Sequence, residues 1–175
     1  MPELQRLRRD HAAALLAFER ENRAYFAQTI PDRGDDYFAG FDARHAELLA
    51  AQEAGLDHFH LIVDSDGEVL GRVNLVAVTT DGTAELGYRI AERATRRGLA
   101  TSAVRQICVL AATAYGLTTL RAETTLDNAG SRAVLTRAGF VPTGEEVVLS
   151  GQPGLAYVRD LSDVREAAAR ETAAP

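Results

Sequence analysis

Residues 85–101, with the sequence ELGYRIAERATRRGLAT, are the stretch that most clearly indicates the fold of this chain. The first residues predict a strand and the last predict a helix, because apolar side chains recur from Ala100 onward at helical spacing. The first amides of a helix lack acceptors within it, and the helix dipole adds positive charge there. Five arginines accompany this helix start: Arg89, Arg93, Arg96, Arg97 and Arg105. In a protein of net charge -6, this local excess of positive charge predicts a phosphate-binding turn.

Other interpretations of the turn are weighed against that one. A solvated basic turn would need Gly98 only for its backbone freedom. A Walker sequence is excluded, because no Gly-Lys-Ser/Thr triplet follows the glycine and all 19 basic residues are arginine. A dinucleotide fingerprint needs three spaced glycines, which the turn does not have.

Length and composition favour one globular domain. The chain has 175 residues, of which 46% are hydrophobic and 25% charged. Net charge -6 argues against nucleic-acid binding. No secretory signal or membrane-spanning stretch is evident, so a cytoplasmic protein without a membrane partner is expected. The single cysteine, Cys108, excludes an internal disulfide, and its place on the flank of an apolar helical stripe favours packing over nucleophilic chemistry.

The N-terminal part predicts two helices. Leu4 and Leu7 open a helical pattern over residues 4–28, and Asp10 is the expected N-cap of a helix over about 11–27. Asp35 or Asp36 is expected to cap a second helix that ends at Gly55. Between them, three carboxylates form an acidic loop: Asp32, Asp35 and Asp36. That loop is either ordinary polar surface or an attractor for a cationic substrate.

The period of the pattern then changes to that of strands. An antiparallel run is predicted over 58–63, 69–78 and 84–90, with turns at 64–67 and 81–82. His58 and His60 share one face of the first strand, but no further ligand at metal spacing joins them. No metal is expected.

The C-terminal half alternates helices and strands. A helix over about 98–115 ends at Gly116, a strand covers 120–125, and Asp127-Asn128 caps a helix over 129–137 that ends at Gly139. A hairpin of 140–149 and 154–161 follows, and residues 162–175 are expected to be a frayed tail. The predicted class is α/β (α+β), with a mixed, mostly antiparallel central sheet flanked by helices in a single domain over 1–161.

Three motifs together resemble the GNAT-type N-acetyltransferases. The turn Thr95-Arg96-Arg97-Gly98-Leu99-Ala100 is similar to the family signature Gln/Arg-x-x-Gly-x-Gly/Ala, with Thr95 departing from its first place. Asn128-Ala-Gly-Ser131 followed by Gly139-Phe140, and the stretch around Tyr88, resemble the ribosomal-protein N-terminal alanine/serine acetyltransferases. The similarity covers about residues 58–145 well and the N-terminal helices loosely.

The resemblance implies a site for acetyl-coenzyme A between two splayed strands, 84–91 and 120–126. The pantetheine arm would pair with the main chain of Tyr88, Arg89 and Ile90. Asn128 would hold the pantetheine, and Ser131 would approach the sulfur. The pyrophosphate would sit on the main chain of six consecutive residues: Arg96, Arg97, Gly98, Leu99, Ala100 and Thr101.

Direct acetyl transfer to an amine requires a proton acceptor and a proton donor for the leaving thiolate. Glu85 and Glu123 are the candidate bases. Several relatives use a tyrosine as acid at the place held here by Leu135, so Ser131 takes the acid role by position. Alternatives stay open: Ser131 as a helix-capping residue at N3, and Glu123 in an ion pair with Arg121 or Arg137.

The resemblance therefore implies an enzyme of the acyltransferase class, an acetyl-CoA-dependent N-acetyltransferase acting as monomer or homodimer. The favoured acceptor is a protein N-terminus, and a small amine such as an antibiotic or polyamine is the alternative within the class. Outside that class, a non-catalytic acyl-coenzyme A binding module and a plain nucleotide-phosphate binder are the competing hypotheses.

Overall fold

The computed structural model of the protein describes residues 2–173. Seven strands run through this part of the chain: β1 (Glu3–Arg6), β2 (His58–Val63), β3 (Val69–Val76), β4 (Thr83–Ile90), β5 (Thr119–Thr125), β6 (Val141–Leu149) and β7 (Gln152–Asp160). The same residues contain seven α-helices: α1 (Ala12–Glu21), α2 (Arg23–Phe26), α3 (Asp35–Ala39), α4 (Phe41–Glu53), α5 (Leu99–Thr113), α6 (Ala129–Arg137) and α7 (Ser162–Thr172). None of these helices is long and apolar enough to cross a membrane.

The strands form a mixed, mostly antiparallel sheet accompanied by helices, so the predicted fold class is confirmed. The chain divides into two compact units. One comprises the residues up to Val76 together with Gly87–Ala100, and the other comprises Ala77–Leu86 and the chain from Thr101 onward. The assignment of residues 1–161 to one domain stays a prediction.

In the first unit, the strand order is β1-β2-β3 followed by the second half of β4. β1 pairs antiparallel with β2, with Leu4 opposite Ile62. The helical interpretation of Leu4 is therefore wrong, because the backbone of this short segment pairs with β2, a partner far along the chain that the local Leu4–Leu7 spacing does not reveal. The β2–β3 hairpin is confirmed. Its turn is held by Asp64, whose carboxylate accepts hydrogen bonds from the amides of Asp66 (3.0 Å) and Glu68 (2.9 Å).

The first helix differs from its prediction at both ends. Asp10 is not its N-cap: it lies in a 3₁₀ turn, Arg9–His11, and accepts a hydrogen bond from Arg8 at 3.0 Å. α1 ends at Glu21 because buried Asn22 interrupts it. The Asn22 amide donates to the carbonyl of Phe18 (2.9 Å), and its oxygen accepts from the amide of Glu92 (3.0 Å). These side-chain bonds compete with continued helix.

The second predicted helix is divided into α3 and α4 at Gly40. Gly34, with φ +82°, occupies the N-cap position of α3, so neither Asp35 nor Asp36 is the cap. α4 is followed by Ala54 and by Gly55 at φ +72°, which confirms the predicted end.

In the second unit, the first half of β4 is followed in order by β5, β7 and β6. Within the described residues, β4 and β5 pair in parallel over Thr83–Glu85 and Thr119–Arg121, the first three residues of each strand. β5 pairs with β7 along its whole length, and β6 with β7 forms the predicted hairpin.

The frayed tail predicted for 162–175 is wrong over Ser162–Thr172, which form α7. Leu161, at the start of this helix, is fully buried. Arg165 donates to the carbonyl of Leu117 at 2.9 Å, and Asp163 accepts from Arg159 at 2.7 Å. An Ala-rich segment without an apolar stripe therefore gains its order from the buried Leu161, from the local Arg159–Asp163 pair and from the distant contact of Arg165 with Leu117. Residues 174–175 lie outside the described part.

Candidate functional site

The turn before α5 has the backbone that a phosphate cradle needs. Arg96 and Gly98 both adopt the left-handed region, with φ +61° and +71°, and α5 begins at Leu99. A Cβ built on Gly98 would meet nothing within 4 Å, so the space beside the glycine is open. The amides of Leu99, Ala100 and Thr101 belong to the first turn of a 15-residue helix and have no acceptors inside it. Residues of this kind fit a pyrophosphate.

The predicted cluster of five arginines is smaller than expected. Arg89 donates to Glu19 at 3.2 Å, Arg93 lies 3.5 Å from Glu68, and Arg105 donates to the carbonyl of Arg137 at 2.8 Å. These three guanidinium groups are already engaged by partners distant in sequence. Arg96 and Arg97 are exposed and form no ion pair with the other described residues. They are the two side chains able to meet a phosphate.

Tyr88, Arg89 and Ile90 occupy the last three positions of β4 and are half-buried. The amide of Ala91, directly after them, donates to the carbonyl of Leu70 at 2.8 Å. A Cβ on Gly71 would lie 2.6 Å from the carbonyl oxygen of Arg89, so β3 approaches this part of β4 closely. The main chain that is expected to pair with pantetheine is therefore fixed in place by β3.

The start of α6 is built as the sequence predicts. The side-chain oxygen of Asn128 accepts a hydrogen bond from the amide of Ser131 at 3.0 Å, which makes Asn128 the N-cap. Ser131 is half-buried at the third helical position. Leu135 is 1% exposed and belongs to the core, and its hydrocarbon side chain has no proton to donate. The ligand role of Asn128 and the acid role of Ser131 stay predictions.

The two candidate bases share one face of the sheet. Glu85 lies opposite Arg121 in the parallel ladder, and Glu123 follows Arg121 by two residues, which returns it to the same face. Both glutamates are exposed. Arg121 pairs with Glu145 at 3.0 Å, so the alternative ion pair of Glu123 with Arg121 is not formed. Both carboxylates therefore stand in water on the same side of the strands.

The first unit contains a buried charge cluster that the sequence analysis missed. Glu19 is 2% exposed and accepts hydrogen bonds from Arg72 (2.8 Å) and Arg89 (3.2 Å). Arg33 lies 3.9 Å from the same carboxylate. A signal was present: Glu19 interrupts the apolar stripe of α1, and Arg72 stands inside the apolar strand β3. A charge on a buried stripe needs a partner.

The acidic loop does not present free carboxylates as expected. Asp32 accepts two hydrogen bonds from Arg23, at 2.9 and 2.7 Å, and Asp35 accepts a third at 2.8 Å. The bond from Arg23 holds the pKa of Asp32 below its ordinary value. The prediction that this loop attracts cations is therefore weakened, because Arg23 contacts two of its three acids and its single charge offsets one of them.

The remaining titratable candidates are packing residues. Burial lowers the pKa of His60 to about 4 and raises the pKa of the Cys108 thiol to about 11. A thiol of that pKa is a poor nucleophile at neutral pH. Within residues 2–173, no three His, Cys, Asp or Glu side chains are arranged to hold a metal ion.

Comparison with known families identifies the fold and the chemistry. Residues 3–141 match the model of the acetyltransferase (GNAT) domain. This chain belongs to the GNAT acetyltransferase family. The Bacillus subtilis (strain 168) protein named probable N-acetyltransferase YjcK is 31% identical over 134 residues, which cover 74% of either chain. The resemblance inferred from the three sequence motifs is thereby confirmed at the level of the family.

Two solved structures show the same fold. Ribosomal-protein-S5-alanine acetyltransferase from Vibrio fischeri superposes with a TM-score of 0.85 at 20% identity, covering 93% of this chain and 94% of its own. Spermidine N-acetyltransferase from Vibrio cholerae, in complex with coenzyme A and spermine, has a TM-score of 0.76 at 17% identity and covers 93% and 97%. The GNAT protein described here is thus an acetyl-CoA-dependent N-acetyltransferase, and its structural neighbours act on acceptors of different kinds.

Proposed function

We propose that this enzyme transfers the acetyl group of acetyl-CoA directly to the N-terminal amine of a protein. The observation that carries the proposal is the similarity to the ribosomal-protein-S5-alanine acetyltransferase over 93% of the chain, with a TM-score of 0.85. Acetylation of a small polyamine is the second candidate, supported by the spermidine N-acetyltransferase fold. Arg23 disfavours it in part, because its single charge, shared between Asp32 and Asp35, reduces the negative charge that a polyamine would meet at this loop.

Bound acetyl-CoA supplies the acetyl thioester, and the chain supplies its binding groups. We assign the pyrophosphate to the amides from Arg96 to Thr101, with Arg97 adding a charge-assisted hydrogen bond. The open space beside Gly98 supports this assignment, since a phosphate can approach the backbone there. The main chain of Tyr88, Arg89 and Ile90, together with Asn128, is assigned to the pantetheine arm.

The proton transfers are assigned to carboxylates and a hydroxyl. An N-terminal amine has a pKa of about 8, against about 10.4 for a lysine side chain, so a modest base is enough. Glu85 or Glu123, both exposed, takes the amine proton through a water molecule. Ser131 donates a proton to the departing thiolate. A domain over residues 1–161 and a cytoplasmic location complete the proposal.

The donor half of the proposal is tested by calorimetry with coenzyme A. Arg97→Glu is expected to raise the dissociation constant at least about tenfold, or about 1.4 kcal/mol. Arg105→Glu is the matched control, because Arg105 belongs to α5, the helix that follows the turn, and donates to the carbonyl of Arg137. Equal affinities for both variants and the original enzyme would remove the phosphate assignment.

The acceptor half is tested with a panel of peptides with free N-termini and a panel of polyamines, read by thiol release. Peptide turnover with little polyamine turnover is expected. With an acceptor that is turned over, Ser131→Ala should lower kcat by about 10²-fold and leave the affinity for the donor unchanged. Glu85→Gln and Glu123→Gln are compared across pH, and the base is the residue whose loss removes the acidic limb of kcat/KM.

A further inference from the structure

The cluster around Glu19 holds more positive charge than its own carboxylates compensate. Arg72 and Arg89 donate to Glu19, and Arg33 stands 3.9 Å from it, beyond hydrogen-bond distance. The Nε atoms of Arg33 and Arg72 are buried and have no hydrogen-bond partner. Buried donors without acceptors are costly, and Arg33, unlike Arg72, lines the adjoining cleft, so the Arg33 Nε offers a place for an additional acceptor.

The surrounding charges confirm the excess. The neighbouring Arg23 is shared between Asp32 and Asp35. Adding that group to the cluster gives four arginines (Arg23, Arg33, Arg72, Arg89) against three carboxylates (Glu19, Asp32, Asp35), which leaves one positive charge. The pKa of Arg89 falls to about 10, chiefly through burial and then through the charge of Arg33, while Glu19 opposes the fall. A single bound negative charge would balance the group.

A cleft gives such an anion access. The cleft opens to solvent and has room for about one water-sized group, such as a single carboxylate oxygen. Its lining combines three arginines and two acids with an apolar wall: Arg23, Arg33, Arg89, Glu19, Asp32 and Phe26. Aromatic rings fix the guanidinium planes, because Arg33 lies 4.5 Å from the ring centre of Tyr37 and Arg89 lies 5.2 Å from that of Phe26. A planar guanidinium held in this way matches the two oxygens of a carboxylate.

We propose that Arg33 and Arg89 bind a carboxylate carried by the acceptor close to its reacting amine. A carboxylate fits better than a phosphate monoester, since one excess positive charge is balanced by one negative charge. Arg89 connects this cleft to the donor: its side chain lines the cleft, and its main chain belongs to the segment assigned to pantetheine. The inference rests on the proposed function and specifies the acceptor within it. Suitable acceptors are peptides with Asp or Glu near the N-terminus.

The test compares matched acceptors. Three peptide series begin with Ala and carry Asp, Asn or Lys at the second or third position, and kcat/KM is measured for each by thiol release. We expect kcat/KM for the Asp peptides to be at least tenfold higher than for the Asn peptides. The difference between the Asp and the Lys peptides should be larger still. A parallel arm compares free amino acids with their amides, which separates a small-molecule source of the carboxylate from a peptide source.

Arg33→Gln is the diagnostic variant, because the Arg33 side chain is 25% exposed and its loss relieves positive charge in the cluster. It should lower kcat/KM for the Asp peptides about tenfold, mainly through KM, and leave the Asn peptides within about twofold. Arg44→Gln is the control, since Arg44 lies 5.9 Å from the same Tyr37 ring but does not line the cleft. Donor affinity should be unchanged in both.

Each outcome is informative. Equal rates for Asp, Asn and Lys peptides, or a preference for Lys peptides or polyamines, would overturn the carboxylate site while leaving the N-acetyltransferase activity intact. Turnover of free amino acids over their amides, without peptide turnover, would keep the carboxylate site and overturn the protein N-terminus as acceptor. Absence of transfer to every carboxylate-bearing amine would overturn both.

Discussion

Replacing Glu19 by Gln should unfold the protein at a much lower temperature. The substitution keeps the size of the side chain but removes the one carboxylate that compensates Arg72, 2.8 Å away and 5% exposed, and Arg89, 3.2 Å away and 21% exposed. Removing one partner of a buried ion pair costs about 3–5 kcal/mol, because the remaining charge is buried without compensation. At about 2–4 °C per kcal/mol for a chain of this size, Tm should fall by about 6–20 °C.

The assay is thermal and urea unfolding followed by far-ultraviolet circular dichroism, which suits a chain without tryptophan. Glu21→Gln is the matched control on the same helix: Glu21 is 62% exposed and lies 3.8 Å from Arg93, so its loss should cost less than about 1 kcal/mol. The double variant Glu19→Gln, Arg72→Met should be more stable than the sum of the single losses by at least about 1 kcal/mol, since both buried charges are then removed. A Glu19→Gln protein as stable as the Glu21→Gln control would refute the argument that this cluster is charge-compensated by Glu19.

Two further predictions concern buried titratable groups. Burial lowers the pKa of His60 to about 4 from 6.5, so the unfolded state binds a proton more readily, and stability present above pH 6.5 is lost as pH falls toward 4. That loss of unfolding free energy is about 3 kcal/mol. His60→Gln should flatten the dependence of the unfolding free energy on pH between 7 and 4.5, independently of how much the substitution changes stability at pH 7. Cys108→Ala should keep at least half of the activity, because burial raises the pKa of the thiol to about 11 and makes it a poor nucleophile. Incubation with acetyl-CoA alone should add at most one acetyl group to the intact mass, because the chain has no lysine. A thioester on Cys108 that an added amine discharges would contradict direct transfer.

Local sequence was sufficient for features that a few neighbouring residues determine. The Asp64 turn, the Asn128 cap and the helix end at Gly139 were all predicted correctly, because each depends on the conformational range of one residue and on hydrogen bonds within four positions. The strands β2 to β7 and the helix α5 followed from apolar periodicity in the same way.

Local sequence failed where the competing interaction came from far along the chain. Asn22 ends α1 partly through the amide of Glu92, 70 residues away. β1 depends on pairing with β2, and α7 is anchored by Arg165 on the carbonyl of Leu117. The spacing of apolar residues in a short segment contains no information about such distant partners. The local secondary-structure propensity was therefore overridden by tertiary contacts.

The candidate site divides along the same line. The sequence by itself determined the turn at residues 95–101, with its glycine, its exposed arginines and its helix start, because backbone geometry there is a local property. Only the tertiary structure decided which of the five arginines remain available to the pyrophosphate of the donor. The sequence predicted Arg89 as part of the phosphate-binding cluster, but its guanidinium donates to Glu19, 70 residues away. Arg72, 53 residues from Glu19, donates to the same carboxylate. The net charge of a buried cluster depends on groups that are distant in sequence and come together only in the folded protein. It therefore cannot be predicted from a short segment of the sequence.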